Sequence, residues 1–294
     1  MDQARPPDPD PKPPIRRPPP GACDCHAHVF GAPDHYPLDA GRNEDPAPGT
    51  LEDYVTRYRR MHAALGIERG VLVTSNAYGN DNASTTDTLG ALGLERYRGI
   101  ALVGTDVRRE TLEELHRSGF RGVRINMVTR GRLTLDGAAA MAGMLTEIGM
   151  HLQIYLRGAS ALPAPAPAIA ALPIPVVIDH LGLMADAATQ AGEPGQSLTR
   201  FLGAGRIWIK LSGAYRIGDD PPHYRATASW VRALVVANPD QVIWGTDWPH
   251  VRHAGAMPND GDLLNKLWLD VDDDENYRRI LVDNPARLYG FGHS

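Results

Sequence analysis

Two histidines stand one residue apart in GACDCHAHVF (residues 21–30), at His26 and His28. On a strand, residues i and i+2 share a face, so both imidazoles point the same way, here into the interior. Such a pair either satisfies itself in a core or presents two nitrogen ligands to a cation. A carboxylate that could join it lies far along the chain. In QVIWGTDWPH (residues 241–250), Asp247 follows the apolar run Val242, Ile243, Trp244. Pro249 cannot donate to a sheet ladder, so this strand ends nearby and Asp247 sits at its C-terminal end. A carboxylate there is a hydrogen-bond anchor or a general base. His180, in PVVIDHL, adds a third imidazole.

Three arginines complete the set. Arg124 lies inside an apolar run, between Val123 and Ile125. A guanidinium facing a protein interior needs an anion. Arg130 and Arg216 provide two more forks for carboxylates. The cluster points to a small molecule with more than one acidic group. A two-metal centre would want a bridging lysine or glutamate near Arg124 and Asn126, and arginine stays protonated and repels cations. The residues therefore lead to a site without a metal. One divalent cation such as zinc, held by His26, His28, His180 and Asp247, is the alternative.

These residues need elements to position them, and the chain supplies a regular alternation. Strand-like runs are predicted at 21–30, 70–74, 99–103, 121–127, 151–156, 175–181, 207–212 and 241–250. Helical patterns are predicted at 51–65, 85–94, 108–118, 135–148, 197–202, 226–238 and 276–288. The prolines between 159 and 172 interrupt any helix there. Eight apolar strands alternating with helices predict a (β/α)₈ barrel over residues 21–294. No G-x-G-x-x-G follows the first strand, which argues against dinucleotide binding. In such a barrel the site is built at the strands' C-terminal ends, where Ser75, Arg124, Tyr155, His180, Arg216 and Asp247 all fall. Cys23 and Cys25 are then predicted to point outward, under the helices.

The 294 residues are 43% hydrophobic and 22% charged, with a net charge of −5. Nothing in that balance suggests nucleic acid or an anionic membrane. No apolar run approaches the ~20 residues that span a bilayer. The two cysteines sit too close along one strand to bridge, which fits a reducing, cytoplasmic setting. Residues 1–20 carry nine prolines and are predicted to form a solvated, extended arm. A monomer or small homo-oligomer is expected.

The segments PPPGACDCHAHVFG, RGVRINMVTR, PVVIDHLG, VIWGTDWPH and NPARLYGF resemble the amidohydrolase-related lactonases, and among them the pyrone-dicarboxylate group. The resemblance covers about residues 18–292. It implies a barrel that hydrolyses a small acidic lactone, such as 2-pyrone-4,6-dicarboxylate, in the breakdown of aromatic compounds. By this likeness Asp247 is the base, and His26, His28 and His180 surround the scissile carbonyl. Ser75, Arg124, Arg130, Tyr155 and Arg216 hold the acidic substituents, and the pyrone-dicarboxylate group works without a metal. The segment KLSGAYR departs toward broader relatives, which act on sulfomuconolactone or sugar-acid lactones and in some cases hold zinc. A metal-dependent decarboxylase on the same scaffold, and a barrel that binds an acidic ligand without turnover, are the readings from other classes.

Overall fold

The computed structural model describes residues 3–43, 45–127, 133–218, 221–222 and 224–292. Eight parallel strands follow one another around a barrel in chain order. They are β1 (Cys23–Ala27), β2 (Arg69–Val73), β3 (Tyr97–Ala101), β4 (Phe120–Asn126), β5 (His151–Tyr155), β6 (Val176–Ile178), β7 (Trp208–Leu211) and β8 (Val242–Trp244). Helices cover the outside: α1 (Leu51–Leu65), α2 (Ala83–Leu92), α3 (Arg109–Arg117), α4 (Leu135–Ile148), α5 (Ala166–Ala170), α6 (Ala187–Ala191), α7 (Glu193–Gly203) and α8 (Ala228–Ala237). Then come α9 (Asp260–Val271), α10 (Asp274–Arg278), a π turn over 279–283 and α11 (Asn284–Tyr289). The predicted barrel is thus the fold. The proline-rich stretch after β5 keeps only the five-residue α5, with prolines in its first turn, where a missing N–H costs nothing. Helix α9, not anticipated above, is started by the Asn259 side chain accepting from Gly261 N–H.

Local chemistry sets the ends of the covering helices. Thr50 and Asp53 form a reciprocal capping box at the start of α1, and Gly66 ends it at φ +76°. Thr134 starts α4 by accepting from Gly137 N–H, and Gly149 ends it at φ +81°.

The barrel closes between β8 and β1 by an unusual joint. β8 is too short to ladder with β1, so the loop after it does the pairing. Asp247 N–H donates to His26 O (2.8 Å), and His28 N–H donates to Trp248 O (2.7 Å). Thr246 donates to the Asp24 carboxylate from its backbone (2.8 Å) and its hydroxyl (2.7 Å). Gly245 is required here, because a Cβ would lie 2.6 Å from His26 N. The joint brings the first and last catalytic candidates together.

β1 does not alternate as predicted. Its pairing with β2 shifts register between Asp24 and Ala27. A bulge of this kind puts two consecutive residues on nearly the same side. Cys23 and Cys25 therefore pack with Val71, Val73, Ile100, Val177 and Ile243 inside the lower barrel, not under the helices. Asp24 turns outward, where Tyr58 of α1 donates to it at 3.2 Å. His26 and His28 still face inward and are buried.

The N-terminal residues, expected to form a solvated extended arm, are strapped to the barrel. Lys12 N–H donates to Asn259 Oδ1 (3.0 Å), Ile15 N–H to Asn265 Oδ1 (2.7 Å), and Asn259 Nδ2 to Asp8 Oδ2 (2.9 Å). Arg5 donates to the carbonyl oxygens of His253 and Gly255, in the loop after β8. No helix among the described residues is long and apolar enough to cross a membrane.

Candidate active site

At the C-terminal end of the barrel, His28, Asn76, Arg124, Asn126, Tyr155, His180, Arg216, Asp247, Val251 and Arg252 line a pocket of about 350 Å³, its open mouth included. Six of the nine residues anticipated from the sequence are in this wall. His26 lies directly beneath it. Ser75 does not line it: its hydroxyl accepts from Ala77 N–H (3.1 Å), and its neighbour Asn76 reaches the pocket instead. Arg130 lies outside the described residues.

Asp247 is buried at φ +65°, a left-handed conformation that costs a non-glycine residue roughly 1–2 kcal/mol. Its Oδ2 accepts from Tyr215 Oη (2.6 Å) and from Arg216 Nε. Burial alone would raise its pKa, but Arg216, with His180 and His26, holds it well below the usual carboxylate range. Asp247 is therefore ionised. Its other oxygen, Oδ1, is buried without a hydrogen-bond partner among the described residues and faces His26 Nε2 (3.7 Å) and His28 Nε2 (3.9 Å).

The protons on those histidines follow from their other partners. His28 Nδ1 lies 2.6 Å from Val73 O, and a carbonyl can only accept. Nδ1 thus carries the proton and Nε2 is a bare lone pair. His26 Nδ1 sits 3.4 Å from Asp179 Oδ1 and 3.4 Å from Lys210 Nζ. With its proton toward Asp179, His26 Nε2 is bare as well. In the other tautomer, one Nε2–H serves His28 Nε2, 3.3 Å away, and Asp247 Oδ1 is still unmet. In either case a buried carboxylate oxygen and a histidine lone pair converge on a space that needs a positive or donating guest.

A divalent cation fits that space. Two nitrogens 3.3 Å apart match the edge of a tetrahedron with metal–nitrogen bonds of about 2.0 Å. His26, His180 and Asp247 also bring ligand atoms within 4.8 Å of one another. One part of the sequence argument against a metal was the charge of Arg124, and the structure answers that part. Arg124 Nε (3.1 Å) and Nη2 (2.9 Å) both donate to Asp179 Oδ2. The anion that this buried guanidinium requires is thus internal. Gln153 Nε2 adds a third bond to the same oxygen (3.0 Å). Lys210, also buried, donates to Cys25 O (2.8 Å) and Gln153 Oε1 (2.6 Å) and lies 3.6 Å from Asp179 Oδ1. This floor of paired charges fixes His26 from below.

The upper wall is aromatic and cationic. Tyr155 meets His180 edge-on at 4.9 Å, and the Arg124 guanidinium lies 5.2 Å over its ring. His180 Nδ1 is 2.9 Å from Ser212 Oγ. Arg252, exposed at the lip with φ +61°, has no hydrogen-bond or ion-pair partner among the described residues. The sequence places Asp179, Lys210 and Tyr215 at strand ends without giving them roles, Lys210 by the strong signal of a lysine inside the apolar run IWIKLS. It gives no sign of Arg252 or Gln153 as parts of the site.

Burial pushes His28 and His180 down to about 4. Unfolded histidines titrate near 6.5. Between those values the unfolded chain takes up protons that the folded chain refuses, so stability is full above about 6.5 and falls as pH falls toward 4. Each group contributes at most about 1.4 kcal/mol per pH unit. Metal-stripped protein should therefore show a lower urea midpoint at pH 5 than at pH 7.5. Equal midpoints would mean that these imidazoles are charged in the fold.

Residues 23–291 match the family described as Amidohydrolase. A 4-sulfomuconolactone hydrolase of Hydrogenophaga intermedia is 36% identical over 277 residues, 92% of this chain and 89% of its own. A 2-pyrone-4,6-dicarboxylate hydrolase of Comamonas testosteroni is 32% identical over 282 residues, 92% of this chain and 90% of its own. The apo crystal structure of an Agrobacterium tumefaciens protein, 25% identical, superposes with a TM-score of 0.84, covering 96% of this chain and 98% of its own.

Proposed function

We propose that this chain, which belongs to the amidohydrolase family, opens a small lactone that carries acidic substituents, by attack of water on the ester carbonyl. One observation carries the reading: the ionised, unpartnered Asp247 Oδ1 faces the histidine pair beneath a pocket ringed by guanidinium groups. The relatives named as lactone hydrolases support the reaction class. Both of their named substrates are acidic, one a sulfonate and one a dicarboxylate. The breakdown of aromatic compounds is the metabolic setting that such substrates suggest.

The donor set favours one zinc ion over the metal-free site expected from the sequence. His26, His28 and Asp247 would hold it, with His180 beside them. When bound it supplies Lewis acidity at the ester carbonyl. The rest is the work of the chain. Asp247 accepts the proton of the attacking water, being ionised and poised at the site's floor. Arg216 and Tyr215 keep its Oδ2 occupied, so that Oδ1 is the oxygen that acts. Arg124 and Tyr155 form the wall against which the ring lies.

The acidic substituent is assigned to Arg252. Arg124 and Arg216 are each matched by an internal carboxylate, and Arg252 is not. Arg252→Ala should raise KM for an acidic lactone about tenfold, the scale of a charged hydrogen bond at a partly exposed site, with kcat near wild type. An unchanged KM would place the acid contact elsewhere in the wall. The reading as a whole is tested by following proton release from a panel of sulfonated, carboxylated and neutral lactones. Selective opening of the acidic ones is expected. Equal opening of a neutral lactone, or none of any, would overturn it.

A further inference from the structure

Behind Asp247 a line of buried polar groups runs away from the pocket, and the reaction as described does not use its far end. Tyr215 Oη lies 2.6 Å from Asp247 Oδ2 and 3.1 Å from His250 Nδ1. His250 Nε2 lies 3.2 Å from Asp260 Oδ1. His250 and Asp260 are each about 1% exposed, so no bulk water serves them. Neither His250 Nε2 nor Asp260 Oδ1 has a hydrogen-bond partner of regular geometry among the described residues, and each faces the other. Asp260 is the first residue of α9 and lies 13 positions after Asp247 in the chain.

We infer that Asp260, His250 and Tyr215 form a positioning chain that orients the Asp247 carboxylate. The direction of each link follows from what each group can do. Asp247 is ionised and only accepts, so the Tyr215 hydroxyl hydrogen points at Oδ2. The Tyr215 oxygen must then accept, which requires the proton of His250 on Nδ1. With that proton on Nδ1, the link from Nε2 to Asp260 Oδ1, 3.2 Å away, needs a second proton shared between the two, and it holds the imidazole in that orientation. The backbone supports the arrangement: His250 N–H donates to Asp247 O (2.9 Å), and His250 adopts φ +62°. With Oδ2 pinned by Tyr215 and Arg216, Oδ1 is aimed at His26 and His28. The chain also ties the aim of the carboxylate to α9, on which the N-terminal strap is fastened through Asn265.

The inference rests on the reading of Asp247 as the site's working carboxylate. It is tested with four proteins: wild type, Tyr215→Phe, Asp260→Asn and the double variant. Two quantities are read for each: the zinc dissociation constant of metal-stripped protein, by competition with a chromophoric chelator, and kcat with KM on an acidic lactone. Tyr215→Phe should weaken zinc and lower kcat about tenfold, and Asp260→Asn severalfold, in the range for groups behind a ligand. The double variant should be no worse than Tyr215→Phe, because the chain is already cut. KM should stay within about twofold. His250→Asn, whose amide nitrogen takes the place of Nδ1, should retain more of both than His250→Ala. Losses that multiply in the double variant, or an Asp260→Asn protein with unchanged zinc affinity and kcat, would overturn the chain. A role of Asp260 only in starting α9 would lower the melting temperature without that non-additivity. If wild type opens no acidic lactone, the proposed reaction fails while the zinc cycle still decides the chain. If Asp247→Asn binds zinc as wild type does, the kcat cycle decides it.

Discussion

Asp247→Asn should leave a folded protein that binds an acidic lactone and turns it over about 10²–10⁴ times more slowly, the scale of a lost acid–base catalyst. The asparagine oxygen can still accept from Tyr215 Oη and Arg216 Nε, the two partners of Oδ2. Its NH₂ then points where Oδ1 stood, at the His28 lone pair. A proton acceptor has become a donor. The same change removes a ligand from the cation space, so zinc affinity falls with the rate. The competing role is an anchor for the loop after β8, through the pairing of Asp247 N–H with His26 O. That pairing is made by the backbone and survives the substitution. A variant that loses mainly melting temperature, with single-turnover rates near wild type, would leave Asp247 an anchor and take it out of the chemistry.

Stripping divalent metal with a strong chelator should reduce kcat/KM about 10³-fold or more, and added zinc should restore it. The magnitude follows from the several kcal/mol that a Lewis acid contributes to a developing oxyanion. The structural reason is that Asp247 Oδ1 has no donor among the described residues and lies beside a bare His28 Nε2. Protons do not compete with the cation for the His28 nitrogen near neutral pH, since burial keeps that imidazole neutral down to about 4. Arg124 no longer argues against a cation, being bound to Asp179 at 2.9 Å. Activity that persists through exhaustive chelation would return the site to the metal-free expectation, with the attacking water alone as the guest of Oδ1.

The barrel was legible because each of its strands is a short apolar run bounded by turn residues, and because caps such as Thr50 and Gly66 mark the helix ends. The position of Asp247 was legible for the same reason: Pro249 marks where the ladder stops. What could not be read were pairings across the barrel. Arg124 on β4 and Asp179, which follows β6, are 55 residues apart with β5 between their strands, and nothing in their spacing says that one neutralises the other. That one pairing reverses the argument about a metal. The bulge in β1 was equally hidden, since it depends on register with β2, so strict alternation misplaced Cys23 and Cys25. Helix α9 could have been found: Leu263, Leu264, Leu267 and Val271 fall on one stripe behind the Asn259 cap. Arg252 resembled an ordinary loop arginine until the loop was folded over the pocket.

Hydrolysis at the ester carbonyl has an isotopic signature that separates it from the other chemistries this scaffold could support. Metal-loaded protein and an acidic lactone in ¹⁸O-water should give a ring-opened product with one ¹⁸O in the newly formed carboxylate and no release of CO₂. Loss of CO₂, or a product formed without solvent oxygen, would contradict water attack in this pocket.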